Sequence, residues 1–408
     1  MEKLLIKAIN PLRILINDSR FTGIMLIVCT MVSMLLANMS GVTHLYRDFW
    51  NRDWLHNPTS FHAPENFTSF INNFLMAFFF LMAGMEIKRE LINGELSSLK
   101  KAILPFGAAL GGMAVPAMIF VAFNLHTSYV HGWGIPTATD IAFSVGVASL
   151  LGSRVPVGLK ILLMALAIID DLGAIAVIAL FYGGHLNWVL LGIAAILYAA
   201  LFACNYFKVK FGVIQITLSL LIWYAIFNSG VEASITGVLV AFATPVKTLP
   251  KIEKAIHGWV NFLILPLFAL ANTAILMPEH IVSSLGTSLG MGIIFGLVIG
   301  KPAGIFLFSR VLVALKLASL PNNVKWKQVF GMGTLAGIGF TMSIFTTMLA
   351  FKVEALQDIA KVAILVSVLL SLVFSLAYFI ILNIKSNIQH LTDELKNSSM
   401  NEPAMRLN

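Results

Sequence analysis

The sequence predicts an all-α polytopic membrane protein of twelve transmembrane helices, built as inverted repeats with two crossed discontinuous helices at spans 4 and 11. Three observations lead there. Of the 408 residues, 58% are hydrophobic and only 11% charged, against roughly 25% charged in a soluble domain. Apolar runs of about 17 or more residues, long enough to cross the hydrocarbon core, recur along nearly the whole chain. The lysines and arginines alternate loop by loop between the two sides that those runs define, and basic loops stay in the cytoplasm.

In chain order the spans are expected at 20–38, 66–88, 102–124, 132–151, 156–182, 187–207, 211–227, 230–246, 257–277, 288–311, 328–350 and 359–384. With the amino terminus inside, the 27 lysines and arginines fall on the cytoplasmic side except Arg47, Arg52, Lys352 and Lys361 outside and Lys301 within a span. A missed or invented helix would swap the sides downstream, so the bias tests the count as well as the direction. Both termini are expected in the cytoplasm. The basic tracts are Lys3, Lys7, Arg13 and Arg20, the pairs Lys208 with Lys210 and Lys100 with Lys101, and later loops through to Arg406.

Residues 1–385 form one transmembrane domain and 386–408 a polar cytoplasmic tail. The periplasmic loop 39–65 carries Trp50, Trp54, Asn57-Pro58 and three histidines, and is compatible with a small β-hairpin. Nothing leaves room for a soluble catalytic domain, and no cofactor is expected. The net charge of +8 is dispersed over loops without a basic face, which argues for contact with anionic lipid rather than nucleic acid. Cys29 and Cys204 both fall within spans and imply neither a disulfide nor a metal site.

Four charges lie well inside spans, where each costs at least about 2.5 to 3.5 kcal/mol on insertion scales. They are Asp170 and Asp171 in the fifth span, Lys301 in the tenth and Asp140 in the fourth. Similar depth suggests one shared polar cavity. A buried structural network is the alternative, and for Lys301 the balancing of a nearby carboxylate or helix end is the plainest reading. Neighbouring helix positions are about 100° apart, so Asp170 and Asp171 cannot both face one partner in the same way. Two carboxylates this close resist ionising together, which makes the pair a proton acceptor tuned by its neighbour. Around them Ala167, Gly173, Ala174 and Ala176 are small and let another helix approach, though plain packing would use the same residues.

"GIPTATDIAFS", 134–144, sets Pro136 inside the fourth span. Proline removes a donor and disfavours helix in the residue before it, so the helix is expected to break there. Thr139 and Asp140 would cap a second half-helix, with Asp140 at the positive end of its dipole. A second break is expected in "GIGFTMS", 337–343, at Gly337 and Gly339. The fourth span runs inward and the eleventh outward, and two interrupted helices of opposite direction point to an inverted-repeat transporter with a midplane site. Lys301 would neutralise the negative half-helix ends and Asp140 the positive ones.

"AIIDDLGAIAVIALFY", "PTATDIAFSVGV", "FFFLMAGMEIKRELINGEL", "LILPLFALANT", "GKPAGIF" and "LAGIGFTMSIF" together resemble the NhaA family of sodium/proton antiporters, in the same order from about residue 10 to 385. The resemblance implies Asp170 and Asp171 as the cation and proton site, binding the transported Na+ or Li+, with Thr139 as a hard oxygen ligand. It implies Asp140 and Lys301 as charge compensation at the broken helices, Lys301 pairing with Asp170. It implies a pH-sensing group of Glu86, Arg89 and Glu90, joined by Glu253 and His257 near the ninth span, although Glu86 to Glu90 alone read as a solvated helix end. A homodimer in the bacterial inner membrane is also implied. In "NSGVEASITGV", Glu232 stands where the family often has a histidine, so no pH response is carried over through that position.

The chemistry can be argued from the residues as well. Sodium and lithium favour oxygen ligands, and carboxylates bind them only when deprotonated. Competition between proton and cation for the acid pair then produces exchange, electrogenic if two protons return for one cation, and inactive at acid pH where protons hold the site. The first rival is a sodium-coupled symporter or a cation channel on a similar scaffold; an organic solute would need a roomier polar pocket, and few intramembrane polar groups are left to line one. An intramembrane aspartyl protease using Asp140 and Asp170 would need a Gly-x-Gly-Asp signature, and a prenyl transferase a further acid after Asp171; the chain has neither.

Overall fold

The computed structural model describes residues 19–54, 63–184, 186–207, 209, 211–277 and 281–401. The expected basic positions Lys3, Lys7, Arg13, Lys208, Lys210 and Arg406, and the Asn57-Pro58 turn with His56 and His62, lie outside the described residues.

Every regular element among the described residues is helical. Eight helices are long and apolar enough to cross a membrane: α1 (Ser19–Asn38), α3 (Phe67–Asn93), α4 (Leu99–Asn124), α6 (Val157–Phe181), α7 (Trp188–Tyr206), α10 (Leu249–Asn272), α11 (Ser288–Ala314) and α14 (Glu354–Asn401). A bent pair, α12 (Trp326–Ala336) and α13 (Phe340–Ala350), adds a ninth, with an angle of 49° at the break. The other apolar segments are shorter: α5 (Ile141–Leu150), α8 (Val213–Phe227) and α9 (Ala233–Ala243). At about 1.5 Å per residue none of these three reaches the roughly 30 Å of a hydrocarbon core as straight helix. The fourth expected span is short because it is divided, a 3-10 helix at Ser128–Thr137 giving way to extended backbone and then to α5.

Two boundaries differ from the sequence reading. Helix α3 continues to Asn93 rather than ending at 88, which carries Glu86 to Glu90 inside the helix. Helix α10 begins eight residues early, because Pro250 sits in its first turn, where a missing N–H costs nothing, and buried Leu249 anchors it. Where a hairpin was open, residues Thr43–Asn51 form α2, and no strand occurs among the described residues. Tyr46 and Trp50 share one face at i, i+4, their rings 5.9 Å apart, and Trp50 stacks on Phe67 at 5.5 Å. That spacing buries Trp50 only in a helix. Helix α14 continues through 386–401.

The core is set by close helix approach at glycines. Helices α4 and α11 meet at Gly111 and Gly304, where a Cβ on Gly111 would fall 2.7 Å from the Phe308 side chain. Gly112 faces Ile305 and the Lys301 stem, and Gly300 faces Pro116. Just before Lys301, α11 widens into a π-helical turn at Gly296–Gly300, a feature frequent at functional sites. Outward-facing positions are apolar, with Leu180, Trp188, Val189, Tyr206 and Phe207 largely exposed. Such a surface suits hydrocarbon, and the chain is a membrane protein.

Candidate functional site

Both expected interruptions are present, and they are joined. The first half of the divided span ends at Thr137, one residue after Pro136, leaving Ala138 and Asp140 extended. Gly337, Ile338 and Gly339 separate α12 from α13. Across the gap Asp140 N–H donates to Ile338 O at 2.8 Å, and Ser343 Oγ donates to Ile135 O at 2.8 Å. Backbone freed by one break is therefore satisfied by the other, the condition for irregular chain at membrane depth.

Asp140 caps α5, accepting from Phe143 N–H at 3.0 Å on Oδ1. Its Oδ2 accepts from Thr341 N–H at 3.1 Å and Thr341 Oγ1 at 2.6 Å. One buried carboxylate thus meets the amino ends of two half-helices, where a negative charge is favoured. Lys301, fully buried, lies 2.9 Å from Asp170 Oδ2 through Nζ. The same Nζ donates to Thr137 O at the end of the 3-10 helix, the negative end of that element.

Asp170 and Asp171 are not equivalent. Asp170 Oδ2 takes both Lys301 and the Thr139 hydroxyl, the latter at 2.6 Å. Thr139 Oγ1 also lies 3.0 Å from Ala336 O, so its single proton serves one acceptor at a time and its oxygen keeps lone pairs free. Asp171 has no cationic side chain in ion-pair contact among the described residues. It lines a cavity of about 190 Å³ shared with Glu86, Asp140, His257, Asn261 and Thr341. Oδ1 of Asp170 and Oδ1 of Asp171 are both buried without a hydrogen-bond partner among the described residues. An orphaned buried carboxylate oxygen is costly and calls for a proton or a cation. The two oxygens, with the Thr139 hydroxyl, make a hard donor set suited to a small cation rather than to a soft metal.

The remaining expected residues divide. Arg89 Nη1 donates to both carboxylate oxygens of Glu253 at 3.0 Å, and Arg89 Nη2 lies 4.0 Å from Glu86. His257 is 3.0 Å from Asn261 Nδ2 through Nε2 and shares the cavity with Glu86. Glu90 turns away and accepts from Glu95 N–H at 3.0 Å, closing its own helix end. Glu232 precedes the short turn Ala233–Ile235. Two residues escaped the sequence reading. Thr341 holds Asp140, and Asn261 holds His257. Thr341 carried a signal, a hydroxyl beside a glycine break inside a span; Asn261 carried only its polarity.

The sequence model of a family described as Na+/H+ antiporter 1 matches residues 13–379. Among curated relatives, a protein of Shigella dysenteriae named Na(+)/H(+) antiporter NhaA is 46% identical over 336 residues, covering 81% of this chain and 87% of its own. A protein of the same name from Cytophaga hutchinsonii is 45% identical over 358 residues, covering 86% and 90%. Na(+)/H(+) antiporter NhaA 1 of Flavobacterium johnsoniae is 44% identical over 357 residues, covering 86% and 91%.

Proposed function

We propose, from the premise that this chain belongs to the Na+/H+ antiporter 1 family, that it exchanges Na+ or Li+ for H+ across a bacterial inner membrane. Exchange is electrogenic, activated at alkaline pH, and runs by alternating access around Asp170 and Asp171. The observation that carries this is the inequality of the two acids: Asp170 is held by Lys301, while Asp171 opens on the cavity with an orphaned oxygen.

Each group then has one task. Asp171 binds the incoming cation once its proton has left. Asp170 and the Thr139 oxygen complete the donor set, and a cation that displaces Lys301 from Asp170 takes over its charge compensation. Asp140 and Lys301 neutralise the ends of two crossed discontinuous helices. The site reorients when it holds either a cation or protons but not when empty and charged, so competition alone couples the fluxes. Two acids return up to two protons for one cation, which makes the cycle electrogenic. Below the range in which the site ionises protons hold it, so the cation concentration for half-maximal rate rises by up to about tenfold per pH unit for each proton displaced.

The wider reading is twelve crossings in inverted repeats, with α5, α8 and α9 completing spans through extended or 3-10 segments and both termini cytoplasmic. Residues 39–65 face the periplasm and contribute to a homodimer. Glu86, Arg89, Glu253 and His257, with Glu90 at the helix end, tune the pH response. The test is pH-dye fluorescence in proteoliposomes given Na+, Li+ or K+ between pH 6 and 9, for the native protein and Asp171→Asn. Proton movement evoked by Na+ or Li+, rising with pH and lost in the variant, supports exchange. A folded native protein that moves no protons overturns it and leaves the acid pair to a symporter or a structural network.

A further inference from the structure

Helix α6 holds the divided span at two places. At one, Asp170 meets the Thr139 hydroxyl. The other is the far end of the same helix, from Asp170 on to Tyr182, roughly 18 Å along its axis. There the Tyr182 hydroxyl accepts from Gly134 N–H at 3.0 Å and donates to His131 O at 2.8 Å. Those two backbone groups are the pair that a 3-10 turn sets face to face, so one side chain grips one turn of the helix Ser128–Thr137. The fit is close: a Cβ on Gly134 would fall 2.8 Å from the Tyr182 hydroxyl oxygen. Beside it the Phe181 and Trp133 rings meet edge to face at 5.2 Å. A phenylalanine at 182 would keep the ring, so the hydroxyl needs a reason of its own.

The residues after Gly134 supply one. Ile135 O receives Ser343 Oγ, Thr137 O receives Lys301 Nζ, and Thr139 Oγ1 faces Asp170. Past Thr137 the backbone is extended and outside any helical ladder, so the place of Thr139 is set by the anchors on either side. The anchor after it is Asp140 N–H on Ile338 O at 2.8 Å; the anchor before it is Tyr182. We propose that Tyr182 is a positioning residue for the cation site. Its hydroxyl ties the first half of the divided span to the helix that carries the acids, and thereby fixes the Thr139 oxygen against Asp170. Tyr182 itself touches neither cation nor proton. Because Tyr182 and Asp170 belong to one helix, the span is gripped at two points of a single body, and Thr139 keeps its place relative to the acids when that body moves. The effect on cation binding rests on the cation site of the proposed exchange; the grip itself does not.

Tyr182→Phe removes only the oxygen. Gly134→Ala breaks the same contact from the other side, by crowding the hydroxyl. Two measurements are made on the full-length protein in detergent: amide hydrogen exchange of peptides covering 134–140, read by mass spectrometry, and calorimetric titration with Na+ at alkaline pH. Each variant should speed exchange at 134–140 while peptides of α10 exchange as in the native protein. Each should also weaken Na+ binding by about two- to tenfold, the worth of one hydrogen bond. With Thr139→Val as the background, where Asp170 and Asp171 still bind the cation, Tyr182→Phe should change Na+ binding by less than about twofold. A merely structural role would not give that difference. Unchanged hydrogen exchange at 134–140 in Tyr182→Phe overturns the grip. Unchanged Na+ affinity, or an equal loss with and without the Thr139 hydroxyl, overturns the positioning role and leaves Tyr182 as packing. If Gly134→Ala does not fold, Tyr182→Phe decides alone. Transport is read separately in proteoliposomes, since a native protein that binds Na+ but moves no protons counts against exchange and not against Tyr182.

Discussion

The tightest test of the site is removal of the Lys301 ammonium by Lys301→Met, which keeps most of the side-chain volume. Lys301 and Asp170 are both fully buried, 2.9 Å apart, and Nζ also satisfies Thr137 O. Taking away one partner of a buried pair leaves an uncompensated charge and costs about 3 to 5 kcal/mol. Against a net stability of about 5 to 15 kcal/mol, that is a large share. Replacing both partners removes the two opposite charges together and is often close to neutral. Lys301→Met should therefore be strongly destabilised, Asp170→Leu likewise, and the double variant less than the sum of the two. The assay is SDS titration of the four proteins in mixed micelles, followed by helical circular dichroism, with the coupling taken from the cycle. Contacting residues of one network couple by about 0.5 to 3 kcal/mol. Coupling below about 0.5 kcal/mol would refute the reasoning, because Lys301 would then serve only as filling between α11 and Gly112.

Three further outcomes are expected. Thr341→Val removes the hydroxyl donor 2.6 Å from Asp140 Oδ2 and leaves the backbone donor, so it should cost about 1.5 to 3 kcal/mol; an unchanged SDS midpoint would show that the hydroxyl holds nothing. Glu253→Gln breaks a two-bond pair with Arg89, a partner whose side chain is 40% exposed, so stability should move by no more than about 1 kcal/mol while the pH profile of exchange shifts; a loss as deep as that of Lys301→Met would make the cluster structural. Gly111→Val places a side chain against Phe308 and the Gly304 backbone, and over-packing of about 1 to 3 kcal/mol or more should lower the yield of folded protein; a native SDS midpoint would mean that α4 and α11 part easily.

Much of the molecule was written locally. Composition and run length specify membrane helices because a bilayer leaves a segment few other ways to satisfy its backbone. Pro136 and the pair Gly337 and Gly339 mark the interruptions because each acts on its own stretch of chain. The depth of Asp140, Asp170, Asp171 and Lys301 follows from counting along a helix. Which groups meet was for tertiary structure to decide, since the residues by themselves left it open and only the family resemblance paired Lys301 with Asp170. Adjacent acids point about 100° apart, but whether Asp170 or Asp171 faces Lys301 depends on how α6 is rotated against its neighbours. Gly112 and Gly173 bring α4 close to Lys301 and to α6, and that rotation leaves Asp170 with the lysine and Asp171 with the cavity. The union of Asp140 with Thr341, 201 residues along the chain, was equally invisible, as was the turn of Glu90 toward its own helix end while Arg89 reached Glu253. A sequence sets the depth of each charge through local chain geometry; the partner comes from packing between distant helices, which no local pattern records.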